Sequence, residues 1–235
     1  MSNYFWKRLG AASGILYVML LLAPDVIRRG LEEEPTMTTA EVIAYSCATT
    51  TAAQFTDGII PIMHRLGYLF FLLFLGSLWS ALRRAEGDDG WLSAAAFGGG
   101  LVYLAILFSG DGAGIAAARN ACAGIDPQLW QVLDNIGSAS YFSSFIPLAI
   151  LSAASAVVAI RFGALPRWLG WMSAVVAVAL LVDGFAWTIY TRNVGAYFIL
   201  FYLWTVITSI VLIRRAGDTR PAASSASVTP PSVVS

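Results

Sequence analysis

Asp183 stands inside the apolar run ALLVDGFAWTIY, residues 179–190, and Asp111, His64 and Arg65 stand inside or at the edge of other apolar runs. A carboxyl group in such a place can pair with a cation, hold a proton as a general acid, or accept hydrogen bonds from a bound ligand. Arg65 supplies the nearest cation in this reading, with Arg119 and Arg192 more peripheral. His64, the sole histidine, adds a second titratable group, and Asp57, seven residues before it, shares its face if the helix reaches that far. Trp187 and Tyr190 fall close to the same level. Aromatic faces beside a carboxylic acid can host a lipophilic or cationic ligand, and an interfacial belt accounts for them equally. The residues expected to matter are therefore Arg65, His64, Asp57, Trp187 and Tyr190 for a ligand, with Asp183 and Asp111 as the acids if there is catalysis.

Other chemistries lack their residues. One histidine and two cysteines leave no cluster with zinc or haem spacing, so no metal and no cofactor is expected. There is no phosphate-binding or dinucleotide fingerprint, since FGGGLVY follows no strand, and no G-x-S-x-G elbow. Thirteen of the fourteen basic residues are Arg, and Lys7 is the only Lys, which excludes a lysine Schiff base within the membrane. The formal net charge is zero and no basic patch interleaves with aromatics, so nucleic acid is not an expected partner.

The elements that must position these groups are membrane helices. Of 235 residues, 58% are hydrophobic and 12% charged, against about 25% charged in soluble domains. A spanning helix needs about 20 apolar residues, and six runs qualify: Leu9 to Pro24, Leu66 to Leu82, Gly90 to Gly110, Asn135 to Ile160, Trp168 to about Thr191, and Asn193 to Ile213. The first is short and follows Lys7 and Arg8; the lack of a small-residue cleavage site favours a retained helix over a signal peptide. The fold class expected is an all-α polytopic bundle over residues 1–215 with a disordered cytoplasmic tail over 216–235. With the N-terminus inside, nine basic residues face the cytoplasm and five face outward, so both termini are expected inside.

Counting from each inner boundary at about 1.5 Å per residue places Arg65, His64 and Asp111 roughly 27–31 Å up, and Asp183 about 24 Å up. Three helices thus bring titratable groups to one outward level. Asp183 is expected to point into the bundle, either clamped to Arg65 or lining a pocket. Two long connections face outward, residues 25–57 with a short helix after Pro35, and 111–134. Each holds one cysteine, Cys47 and Cys122, which form a bridge in an oxidising compartment or else pack as unpaired small residues. Small-residue stretches such as GAASG, AAAFGGG and LAILSAASAVVA read as close helix packing.

At SALRRAEGDDGWLSAAAFGGGLVY (80–103) and RFGALPRWLGWMSAVVAVALLV (161–182) the sequence resembles small multi-pass actinobacterial membrane proteins that carry a domain of unknown function. The resemblance covers roughly residues 60 to 190. It implies a bacterial cytoplasmic-membrane location and a bundle of about six helices, and it carries over no catalytic residue. The functional reading favoured by the residues is binding of a lipophilic or small organic ligand in an outward polar and aromatic pocket, with the lipid bilayer as the surrounding partner. Two alternatives stay open: a membrane-embedded acid-catalysed isomerase or cyclase acting on an isoprenoid-like substrate, and a transporter or accessory subunit with protein partners unspecified.

Overall fold

The computed structural model describes residues 3–31, 38–47, 58–190 and 196–218. Among them every regular element is a helix: α1 (Asn3–Leu31), α2 (Thr39–Ser46), α3 (Ile60–Glu86), α4 (Trp91–Ala121), α5 (Pro127–Ser143), α6 (Phe145–Phe162), α7 (Arg167–Tyr190) and α8 (Ala196–Asp218). Asp57, Arg192, Glu32 to Glu34 and the tail beyond Asp218 lie outside the described residues.

Five helices are long and apolar enough to cross a membrane: α3, α4, α5 continued by α6, α7 and α8; residues Arg8–Pro24 of α1 form a shorter apolar helix. The surface is as apolar as the interior. Along α3, Leu66, Leu69 and Leu73 are exposed while Gly67, Tyr68, Phe71, Phe74 and Leu75 are buried. Along α7, Val175, Val178 and Val182 face out while Val176 and Leu180 face in. A helix apolar all round needs an apolar solvent, and lipid is that solvent.

Several boundaries differ from the charge-free runs, most for a local reason. α3 starts at Ile60 with Pro61 in its first turn, so His64 and Arg65 are helical. α4 does not stop at Gly110; the Ala-rich GIAAARNA carries it through Asp111 to Ala121. α5 begins at Pro127, where the Asp126 side chain accepts hydrogen bonds from the N–H groups of Gln128 (2.8 Å) and Leu129 (3.2 Å). The expected outer connection 111–134 is thus mostly helix, with residues 122–126 as its only link. The run expected as one helix from Asn135 is interrupted at Ser144, three residues before Pro147, which has no N–H to give the preceding turn. α8 runs to Asp218, three residues into the expected tail.

The link between α3 and α4 is four residues long, and Gly87 and Gly90 hold φ values of +87° and +52° that other residues rarely adopt. Glu86 closes the link by accepting hydrogen bonds from the N–H groups of Leu92 (2.9 Å) and Ser93 (2.8 Å), which caps α4. The short helix expected after Pro35 is α2. Thr38 and Glu41 cap it reciprocally, and the two hydrogen bonds from Thr38 hold the Glu41 carboxyl below its usual range.

α3 is central, packed by α1, α4, α6 and α8, while α7 packs on α6 and α8. Small residues set the closest approaches: a Cβ on Gly10 would run into Ser77 Oγ, and one on Gly14 into Ser209 Oγ and the Phe74 ring. Dispersion between such close backbones holds helices together where lipid removes any hydrophobic gain. The core is aromatic. Tyr17, Phe71, Phe74, Tyr103, Phe145, Phe201 and Trp204 are fully buried, with Phe145 stacked on Phe198 at 5.0 Å and Trp204 Nε1 donating to Ser173 Oγ at 2.6 Å.

Candidate functional site

At the end of the bundle where α3 starts and α4 ends lies an open cavity of about 740 Å³. α3 contributes His64, Arg65 and Tyr68, which recur within one turn and so share a face. α4 contributes Tyr103, Leu107, Asp111, Ile115 and Arg119, a stripe at four-residue steps. α5 closes the third side with Asp134, Ser138 and Tyr141; Leu21 of α1 and Tyr202 of α8 complete the base. Gly110 makes room for this third wall, since a Cβ there would come within 2.7 Å of Ser140 Cβ on α5.

The polar groups converge on Asp111. The Tyr68 hydroxyl donates a hydrogen bond to its carboxyl, and His64 and Arg65 are close enough to act on its charge. Asp111 Oδ2 and His64 Nε2 are buried atoms with no hydrogen-bond partner among the described residues. Both residues line the hollow, and a buried polar atom without a partner costs about 1–3 kcal/mol. The floor is aromatic: the buried Tyr17 and Tyr103 hydroxyls bond each other at 2.6 Å, and Phe71 packs on both rings at 4.8 and 5.3 Å.

The residues singled out from the sequence divide. Arg65, His64 and Asp111 meet in the cavity. Asp183 is buried, 1% exposed, on α7 and is not a lining residue; the adjacent Gly184 packs towards Phe142 and Phe145. The structure sets Arg65 and Asp111 on the walls of one cavity, and Asp183 is not among its lining residues. Trp187 and Tyr190 belong to α7, their side chains outside the described residues, as is Asp57. Tyr68, Tyr103 and Asp134 were missed. Tyr68 stands four residues after His64 and Tyr103 eight before Asp111, so helical spacing alone could have found both.

Above the cavity, α2 packs on α4 and α5. Cys47, just past α2, and Cys122, just past α4, are placed as a disulfide pair with Cα atoms 5.3 Å apart. Among the described residues no group of three or more His, Cys, Asp or Glu side chains is placed to hold a metal ion. No protein family, curated protein or solved structure matches the chain.

Proposed function

We propose that the protein is a six-span protein of a bacterial cytoplasmic membrane, both termini inside, that binds a small amphiphilic organic ligand in the cavity around Asp111. The observation that carries this reading is the convergence of His64 and Arg65 from α3 and Asp111 from α4 on one hollow of about 740 Å³. That size lies in the range of small-molecule sites, about 300–1,000 Å³. The ligand's polar end meets Asp111, Arg65 and His64, and its apolar body meets Leu107, Ile115 and Phe142. The orientation rests on the basic residues: the sequence assigns nine of fourteen to the cytoplasmic side. A disulfide beside the cavity mouth suits the same side, since outer compartments are oxidising.

The test is mass spectrometry of small molecules released from the detergent-purified protein, with Asp111→Asn beside wild type and Asp183→Asn as the control outside the cavity. The expected result is one compound retained by wild type and Asp183→Asn and depleted at least tenfold in Asp111→Asn. Bulk lipid alone in wild type, or equal retention by Asp111→Asn, overturns the reading.

A further inference from the structure

A second hollow, of about 720 Å³, opens at the opposite end of the bundle between α1, α3 and α8, under the link from α6 to α7. Its walls differ from those of the first. Gly10, Ala11, Gly76, Ala81 and Ala85 leave it wide, and Leu9 and Leu73, both partly exposed, give it apolar sides that continue onto the lipid-facing surface. Its polar groups are Arg84 and Arg215 with the hydroxyls of Ser77 and Ser80, and among the described residues no acid lines it. The acid nearest along α3, Glu86, is engaged in capping α4. Arg215 donates one of its N–H groups to the Ala164 carbonyl, which fixes that guanidinium at the rim with its other donors still to satisfy. Two guanidinium groups and two hydroxyls, with no acid beside them among the described residues, at the head of an apolar groove match one chemistry, a phosphate anion joined to hydrocarbon.

We infer that this hollow is a binding site for an anionic glycerophospholipid, its phosphate held between Arg84 and Arg215 and its chains lying along Leu9, Gly76 and Leu73. Planar guanidinium groups bind phosphate through paired charge-assisted hydrogen bonds, and basic pockets between helices at the cytoplasmic interface are a recurring place for such headgroups. The groove decides between sources. A free phosphate would leave its apolar walls bare, whereas a lipid covers them. The site is independent of the cavity around Asp111 and stands whatever that cavity binds.

The test is native mass spectrometry of the full chain in detergent, titrated with phosphatidylglycerol, phosphatidylcholine or inorganic phosphate. Wild type is expected to hold one phosphatidylglycerol at least tenfold more tightly than phosphatidylcholine, and millimolar inorganic phosphate should not displace it. Arg84→Gln removes a side chain that is exposed, so the fold survives, and it should weaken phosphatidylglycerol about tenfold, as loss of a charge-assisted contact does. Arg84→Gln/Arg215→Gln should abolish the preference, Arg84→Lys should keep part of it, and Arg161→Gln, an exposed arginine outside the hollow, should change nothing. Equal affinity for the two lipids, an unchanged Arg84→Gln, or displacement by inorganic phosphate each overturns the assignment.

Discussion

Gly98 and Gly99 are neighbours on α4, and alanine is expected to act on them with opposite signs. A Cβ on Gly98 meets nothing within 4 Å. A Cβ on Gly99 would lie 2.5 Å from the Pro147 carbonyl oxygen and 3.0 Å from the Leu151 nitrogen, both backbone atoms of α6. Neither can rotate aside, so α4 and α6 must part by roughly 1 Å to restore ordinary contact, and dispersion falls along the whole seam. Overpacking of this kind costs about 1–3 kcal/mol, and the backbone partners put Gly99→Ala in the upper part of that range. Gly98→Ala gains up to about 1 kcal/mol of helix propensity, less where the separated helix remains inserted and already folded. Thermal unfolding of the purified protein in detergent reads both. Gly99→Ala should melt several degrees below wild type and Gly98→Ala at or slightly above it. Because α4 carries Asp111 three turns further on, Gly99→Ala should also lower ligand retention in the cavity. A Gly99→Ala variant that melts with wild type would refute the close approach of α4 to α6.

Reducing the Cys47–Cys122 pair releases a loop 75 residues apart in sequence, worth about 4 kcal/mol at most on chain entropy, and less because α3 and α4 stay in the bilayer. Wild type should lose thermal stability in reductant, and Cys47→Ser/Cys122→Ser should be indifferent to it. Tyr17→Phe leaves the buried Tyr103 hydroxyl without its partner, at a cost of about 1–3 kcal/mol; adding Tyr103→Phe should cost much less than a second such loss, as a double-mutant cycle will show. Glu41 has its pKa lowered by Thr38, so its contribution to α2 is present at neutral pH and lost as pH falls below the usual carboxylate range. Phosphine reduction of the disulfide should therefore speed up on acidification in wild type and lose that dependence in Glu41→Ala.

The all-helical membrane class could be read from the chain because lipid demands long charge-free runs, and the five long apolar helices and the shorter apolar stretch of α1 overlap those runs. Helix ends could not be read the same way. Charge-free windows stop at Arg65 and at Asp111, whereas the helices carry both residues onward and turn them towards one another. Depth along a helix is computed from spacing, but the direction a residue faces depends on which helices are neighbours. Asp111 and Asp183 therefore looked alike in sequence, and only packing separates the one that lines a cavity from the one that does not. The second hollow had no signal at all. Gly10 and Gly76 look like any other packing glycines, and only the arrangement of α1, α3 and α8 shows that Gly76 faces open space.

The pairing of Cys47 with Cys122 carries a constraint of parity. Two thiols that meet must stand on one side of the bilayer, so the chain between them crosses an even number of times, here once inward along α3 and once back along α4. A nascent chain in which α3 failed to insert would leave its cysteines a membrane thickness apart, unable to join. The oxidation state of one bond therefore records whether the α3–α4 hairpin was threaded correctly.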